Sequence, residues 1–347
     1  MPDGLVAGVY VERTGALALR AHARTRKDGM IDLDYVDAEE MSWFSDDPHE
    51  ATSKLKELCR LVGESSGDDL AGLALASYGP FVSLMRSDPE FGKLDDTAPH
   101  PPLRDQNLAK LVRDGLARAG LEQSYALRIH TDADACALGE AQARDLPDDH
   151  LLCYLLVTEG VGLGIVRGRT LHSSALHPEI GILHVRFDRR DPLKPSKTDG
   201  VYLYGLSLAE GSSSRSIGER LALPESKWGE LASQATTLKE EMIEELRAYY
   251  LAQGCLACTV ILAPHQIVLG ADHDPSDRLL EKTANAFSKF LSRRVGDAQP
   301  LFRYKQLEKS GFIAAPTPIA ALAPLGGGPR VTGAVGMCVA AARAERG

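Results

Sequence analysis

No run of about 18 apolar residues occurs in this 347-residue chain, and Met1-Pro2-Asp3-Gly4 shows no basic region followed by an apolar core. Neither a membrane span nor a secretory leader is expected, and the chain reads as cytoplasmic. Clusters of basic residues with interleaved aromatics are also missing: aromatics make up 6%, Lys and Arg number 39 against 48 Asp and Glu, and the net charge is −9. That balance favours solubility and argues against nucleic acid or an anionic membrane as a partner. No internal repeat of about 20 to 50 residues is visible. Cysteines are few and scattered, at 59, 136, 153, 255, 258 and 338. Cys255-Leu-Ala-Cys258 has the spacing of a metal or redox pair, but it lies in an apolar helical stretch, Tyr249–Ala263, with no second Cys/His pair nearby. Two core thiols one turn apart are the better reading.

What is present suits a two-lobed α/β protein. The composition, 44% hydrophobic and 25% charged with 32 Gly and 19 Pro, supports a sizeable core, and the length fits two lobes of about 150 residues each. Leu5–Tyr10 and Ala16–Ala21 read as strands joined by a turn at Glu12-Arg13-Thr14-Gly15, whose Gly suits a hairpin, with a third strand after Gly29. Pro48–Val62 has helical spacing, and Leu70–Ala76 is a continuous apolar run typical of a strand buried on both faces. It delivers Ser77-Tyr78-Gly79-Pro80 to a loop. Val82–Leu103 is long and irregular, which in a compact domain points to function. Helices are expected at Asp105–Ala119, Thr237–Ala263, Ser276–Arg294 and Gly333–Arg346, and buried strands at Leu151–Val157 and Gln266–Gly270. Pro192–Asp199 reads as irregular.

The stretch with most chemistry is Thr131-Asp132-Ala133-Asp134-Ala135-Cys136-Ala137-Leu138-Gly139-Glu140, between a strand at Tyr125–Ile129 and helix-forming sequence. Carboxylates at a strand-to-helix junction meet open backbone N–H groups where α/β sheets usually bind ligands. One of them is a candidate general base; the plainer alternative is that Thr131 or Asp132 only caps the helix. Thr158-Glu159-Gly160-Val161-Gly162-Leu163-Gly164, after the Leu151–Val157 strand, either brings N–H groups to phosphate or simply makes a tight turn. His177-Pro178-Glu179-Ile180-Gly181 places a His and a Glu in a loop or helix start.

These segments occur in the order found in the ROK family, and the chain resembles bacterial ROK fructokinases. Ala76-Ser77-Tyr78-Gly79-Pro80 is similar to Ala-Ser-Phe-Gly-Pro, and Ser87–Leu94 with Ala98-Pro99-His100-Pro101 to the sugar-site loop. Thr131–Glu140 resembles Thr-Asp-Val-Asn-Ala-Ala-Ala-Leu-Gly-Glu, His177–Gly181 resembles His-Pro-Glu-Met-Gly, and Ile267–Gly270 the strand before the adenosine site. The resemblance implies a two-lobed ribonuclease H-like (actin/hexokinase/sugar kinase) fold with an interlobe cleft. The lobes would be 1–128 and 129–332, with a helix at 333–347 packing back on the first. It also implies ATP-dependent phosphoryl transfer to a sugar or cyclitol, with ATP and Mg2+, and a homodimer. Asp132 would be the base; Ser77, Tyr78, Gly79, Asp134, His177 and Glu179 would contact the substrate; Gly8, Glu159, Gly160, Gly162 and Gly270 would contact nucleotide.

Departures from the family's pattern concentrate on the ATP side. Against the first phosphate hairpin, Glu/Asp-x-Gly-Gly-Thr-Lys, the aligned run Val6-Ala7-Gly8-Val9-Tyr10-Val11 keeps one glycine and loses the acid, Thr and Lys. Glu159 would put negative charge beside the γ-phosphate, and Ala271-Asp272-His273-Asp274 follows Gly270 where glycine is usual. A sugar-contacting Glu is replaced if Tyr202-Leu203-Tyr204-Gly205 is its counterpart. The family's structural zinc site has no counterpart, because Ile182 stands for its His and no Cys lies between Cys153 and Cys255, so no structural zinc is expected. Two other readings stay open: a kinase fold turned to ATP-independent acid/base chemistry on a small polar substrate, through Asp132, Asp134, Glu159, His177, Glu179 and His184, and a non-catalytic sugar-binding pseudokinase.

Overall fold

The computed structural model describes residues 4–43, 47–98, 101–121, 125–172, 177–193, 205–222, 236–272, 278–291, 294–295, 299–300, 312–325 and 328–344. Two compact units form, one from Met1–Asp149, Gly164–His177 and Thr317–Gly347, the other from His150–Leu163 and Pro178–Pro316.

In the first unit a sheet runs in the order β3-β2-β1-β4-β5, with β1 at Gly4–Glu12, β2 at Gly15–Thr25, β3 at Ile31–Ser42, β4 at Leu70–Ser77 and β5 at Ala126–Thr131. Apolar β4 is buried at every position because it lies in the middle, parallel to both β1 and β5. The acid-rich β3 takes the edge, where charge blunts further pairing. Helix α1 (Pro48–Ser66) is capped by Asp47, which accepts the His49 N–H at 2.9 Å, and buries Ala51, Leu55, Leu58 and Val62. Helix α2 (Leu108–Arg118) is capped by Asn107 and buries Leu108, Leu111, Val112 and Leu116. The hairpin turn is Arg13-Thr14, between the paired Glu12 and Gly15. Gly15 is not there for the turn, as the sequence suggested: a Cβ on it would lie 2.8 Å from the Met41 carbonyl oxygen of β3.

Helix α3 (Asp132–Ala143) buries Ala133 and everything from Ala135 to Ala141. It crosses the C-terminal helix α8 (Pro329–Ala342) at backbone distance: a Cβ on Gly139 would stand 1.9 Å from the Thr332 carbonyl oxygen, and one on Gly336 equally close to that of Ala135. Small residues on both helices permit that approach. Consequently α3 belongs to the first unit, and the division expected after residue 128 falls after 149 instead. Helix α8 also starts four residues earlier than expected, with Pro329 in its first turn.

The second unit contributes β6 (Leu151–Val157), the start of β7 (Val161–Arg167), β9 (His184–Arg186), β10 (Gly205–Ser207), α4 (Leu208–Ser212), α5 (Ser214–Leu221), α6 (Thr236–Leu262), β11 (Gln266–Ala271), α7 (Arg278–Leu291), the short pair β12 (Arg294–Val295) and β13 (Gln299–Pro300), and β14 (Ile313–Ala314). With β8 (Thr170–Leu171) the second sheet has the order β14-β11-β6-β7-β8. Cys255 and Cys258 are buried on α6, as expected of core thiols. A third thiol joins them: Cys153 of β6 hydrogen-bonds Cys258, and that bond together with burial pushes the Cys153 thiol far up, keeping it protonated. No group of His, Cys, Asp and Glu among the described residues is arranged to hold a metal. Nor is any described helix long and apolar enough to cross a membrane. Residues 194–199 of the irregular Pro192–Asp199 segment lie outside the described residues, as do Pro99, His100, Tyr202–Tyr204, His273 and Asp274.

A fully buried ion pair fastens the segment after β9. Arg220 of α5 donates from Nε and Nη2 to the two carboxylate oxygens of Asp191 at 3.1 and 2.6 Å, and the Tyr250 hydroxyl adds a bond to Asp191 Oδ2 at 2.8 Å. Arg220 further donates to Ser216 Oγ at 2.8 Å and to the Gly211 carbonyl at 3.0 Å. Such a pair depends on both members, because losing one leaves an uncompensated buried charge. Asp191→Ala is expected to cost about 3–5 kcal/mol in urea unfolding, with much of the loss recovered in Asp191→Leu/Arg220→Met; equal stability of wild type and Asp191→Ala would refute the assignment.

Candidate active site

Parallel register brings three strand ends to one edge of the first sheet. Tyr10 of β1 pairs with Ala76 of β4, and Ala76 pairs with His130 of β5. Two or three residues further, the chain leaves these strands at Arg13-Thr14, Tyr78-Gly79 and Asp132. Neighbouring strands lie about 4.8 Å apart, so the hairpin turn and Asp132 are separated by roughly 10 Å across the edge. Carboxyl ends of parallel strands are where open α/β sheets bind ligands.

Thr131 is the N-cap of α3, its Oγ accepting the Asp134 N–H at 3.2 Å, and Asp132 is the first helical residue. Asp132 is half-buried and accepts the Ala133 N–H on Oδ1 at 2.8 Å. The Asp134 carboxyl is bonded back to the Thr131 hydroxyl and backbone N–H, a reciprocal cap. Burial pushes the Asp134 carboxyl up to about 6, the Asp132 charge adds to the rise, and the Thr131 bonds and His177 oppose it. His177 belongs to the same neighbourhood: a Cβ on Gly79 would lie 3.1 Å from its Nε2. Tyr78 is buried, and burial holds its hydroxyl well above the usual phenol range; the charge of Asp132 adds to this, while a Leu103 backbone bond, Arg104 and Arg13 counter it. Ser77 differs from its neighbours. Its side chain is fully buried, and Oγ makes no hydrogen bond among the described residues.

The first unit therefore brings together Ser77, Tyr78, Gly79, Asp132, Asp134 and His177. In the second unit, Glu159-Gly160 forms the turn between β6 and β7, with space around Gly160. Gly162 lies within β7, so the glycine-rich run is a short hairpin turn followed by a strand. Glu179 is exposed ahead of a single 3-10 turn, Ile180–Ile182, whose Gly181 packs on the Val161 carbonyl. Gly270 is the penultimate residue of β11, where a Cβ would stand 2.1 Å from the Tyr154 hydroxyl, so packing by itself requires a glycine there. At the same strand ends the Asp272 N–H meets the Val157 carbonyl at 3.1 Å, and the Ser214 N–H meets that of Thr158 at 2.7 Å. A cavity of about 410 Å³ in this unit, lined by Asp188, Arg190, Glu245, Tyr249, Lys282 and Phe290 among others, contains none of the expected site residues.

The alignment of Val6–Val11 with a phosphate hairpin is corrected. All of it is β1, and Gly8 faces α8, where a Cβ would meet the Ala334 carbonyl oxygen at 2.3 Å. Tyr10 fills the layer between sheet and helices, its hydroxyl 3.9 Å from Cys136 Sγ and its ring against Gly333. The turn that faces solvent is Arg13-Thr14, which the family alignment passed over. The signal was available, because the hairpin expected at Glu12–Gly15 conflicted with that alignment by several residues.

The ROK family model matches residues 120–316. The chain is 28% identical over 202 residues to a protein of Bacillus subtilis (strain 168) named as a candidate fructokinase, covering 58% of this chain and 60% of that one. It is 25% identical over 228 residues to a fructokinase of Zymomonas mobilis subsp. mobilis, covering 64% and 68%. Thus the chain spans less than two thirds of the first relative's length. Among solved structures, a ROK family glucokinase from Streptomyces griseus in complex with glucose and AMPPNP superposes with a TM-score of 0.61 at 17% identity, covering 99% of this chain and 100% of that one. A ROK hexokinase from Thermus thermophilus gives 0.58 at 18% identity, covering 97% and 98%. These likenesses show the fold, the actin/hexokinase-like α/β class expected from the sequence.

Two outcomes are expected from the buried polar groups. Ser77→Ala removes a hydroxyl whose unpaired burial costs about 1–3 kcal/mol, so thermal melting is expected to show equal or greater stability; a marked loss would mean that Ser77 is bonded. A carboxyl with a folded pKa near 6 binds its proton more tightly when folded, so Asp134 stabilises the fold at low pH and that contribution is lost as pH rises from the ordinary value of 3.8 through about 6. Asp134→Asn should flatten this decline, raising Tm relative to wild type more at about pH 7.5 than at about pH 4.5; parallel profiles would contradict it.

Proposed function

This chain belongs to the ROK family, and on that premise we propose that it is a sugar or cyclitol kinase that transfers the γ-phosphoryl group of MgATP to a substrate hydroxyl, with Asp132 as general base. The observation that carries this reading is the position of Asp132: half-buried, first in α3, at the carboxyl edge shared by β1, β4 and β5. Of the two carboxyls in that turn, Asp134 is occupied with the Thr131 cap and holds its proton up to about pH 6. The cap bonds thus engage the Asp134 carboxyl, and Asp132, first in the helix, is the one placed to take the proton.

In this mechanism Asp132 takes the hydroxyl proton as the oxygen attacks phosphorus in line, and ADP leaves. Tyr78, Gly79 and His177 form a wall of the sugar pocket, with Ser77 beneath it as support. Glu179 accepts hydrogen bonds from a vicinal diol. Sugar complexes and the nucleotide analogue in structural relatives support a sugar-like acceptor and a nucleotide donor. Magnesium would enter with the nucleotide, held mainly by phosphate oxygens and water, which requires no dedicated protein cage. We carry the cytoplasmic location and the homodimer into the same proposal; exposed Val260 and Ile261 near the end of α6 offer apolar surface for a second copy to cover.

The test is ADP formation with MgATP across a panel of hexoses, amino sugars and cyclitols. One acceptor should support turnover, and Asp132→Asn should lower kcat by about 10²–10⁴-fold with little change in KM. No ADP with any acceptor, or equal rates in the variant, would sink the reading. Turnover that needs Asp132 but no nucleotide would establish ATP-independent chemistry instead.

A further inference from the structure

At the end of the first sheet away from Asp132, two arginines from different segments lie within electrostatic reach of each other. Gly72, paired with Ala126 at the start of β5, packs on the Ala341 carbonyl, so α8 ends here, and Arg343 is its C-cap. Arg169 stands in the turn between β7 and β8, where a Cβ on Gly168 would lie 2.6 Å from Asp148 Cα. Its Nη1 donates to the Asp28 carbonyl at 2.6 Å, in the turn between β2 and β3, and lies 3.7 Å from Asp148 Oδ1. The Arg169 side chain is only 18% exposed, and its Nε makes no hydrogen bond among the described residues. Arg343 is half-buried, and among the described residues its guanidinium has neither a hydrogen bond nor an ion pair. Burial, and then the Arg169 charge, press the Arg343 pKa below the usual guanidinium value, while Asp148 opposes them. A helix C-terminus favours one cation, which does not account for a second brought from the β7–β8 turn. The Asp28 carboxylate, which the Arg169 charge also reaches, is engaged elsewhere, with Arg26 Nη2 at 2.8 Å and the Met30 N–H at 3.0 Å. Asp148, 82% exposed, is the carboxylate that faces the pair.

We propose that Arg169 and Arg343 form a binding site for a dianionic phosphoryl group, carried by inorganic phosphate or by a phosphomonoester. The site is separate from the candidate active site and does not rest on the kinase reading. Each planar guanidinium offers paired N–H donors that match phosphoryl oxygens, and both stay charged at any working pH. A dianion between them replaces one repulsion with two attractions, and in partly buried surroundings those attractions are screened less than at the open surface. Asp148 competes with the ligand for Arg169, so its removal tightens binding. Ligation links the β7–β8 turn, already bonded to the β2–β3 turn, to the end of α8, and a ligand that needs all of these in place binds the folded chain alone and stabilises it.

Calorimetry and thermal melting of the full chain test this with inorganic phosphate and with a hexose phosphate, each against sodium chloride at equal ionic strength. Inorganic phosphate should bind saturably and raise Tm where chloride does not, and tighter binding of the hexose phosphate through the same two arginines would make a phosphomonoester the natural ligand. Arg343→Gln should weaken phosphate binding at least about tenfold while the ligand-free Tm holds, and Arg343→Lys should recover part of the loss. Asp148→Asn should strengthen binding about two- to fivefold. Arg215→Gln, an equal loss of charge on the exposed face of α5, should leave it unchanged. Absence of saturable phosphate binding, a Tm rise that chloride reproduces, or affinity within about twofold of wild type in Arg343→Gln overturns the proposal. So does an Arg215→Gln loss as large as that of Arg343→Gln, which would mean general charge attraction and no site. None of these outcomes bears on the kinase reading, whose test is ADP formation.

Discussion

Parallel pairing of β4 between β1 and β5 sets the chemistry of the first unit. Because Tyr10, Ala76 and His130 stand in one row, the chain emerges from all three strands along one edge, as a cationic turn, a Tyr-Gly step and a helix that starts with an aspartate. Side-chain period in a strand is two, so a slip of one residue would turn each of these groups to the opposite face. Burial alone does not fix the register of β4, which is apolar on both faces before Ser77, but Gly72 does, since a Cβ there would stand 2.6 Å from the Ala341 carbonyl oxygen of α8.

Keeping Asp132 at that edge is the work of α3 and α8. The two helices cross with backbones nearly touching, at Gly139 against Thr332 and at Gly336 against Ala135. Dense packing of this kind leaves little freedom for the start of α3. Thr131 and Asp134 complete the restraint by capping each other. Capping, which the sequence left open between Thr131 and Asp132, falls to Thr131 with Asp134, while Asp132 is the first helical residue.

Much of the fold was legible because its signals are strong. The apolar runs at 70–76 and 151–157 and the helical spacing of 48–62 could be satisfied in few ways, and the structure places β4, β6 and α1 there. Residues of the 131–140 stretch were singled out for the right local reason, a strand that ends where a helix begins. Less legible were features that depend on pairs distant in sequence. The membership of α3 in the first unit stems from glycines facing α8 some two hundred residues away, and the buried Asp191–Arg220–Tyr250 network joins residues whose spacing carries no motif. Glycine was the most ambiguous signal. In a linear alignment Gly8 and Gly162 stand at phosphate-hairpin positions and Gly270 on the strand before the adenosine site, while in the structure Gly162 sits within a strand, and Gly8 and Gly270 pack against a neighbouring helix and the Tyr154 hydroxyl.

At the centre of the account is the claim that Asp132 faces the hydroxyl to be phosphorylated. The most direct measurement is a crystal structure with MgADP and the sugar that supports turnover. The account predicts a sugar hydroxyl within about 3 Å of an Asp132 carboxylate oxygen, on the edge shared with Tyr78 and the Arg13-Thr14 turn. A bound sugar with Asp132 held only in the first turn of α3, away from every hydroxyl, would contradict it.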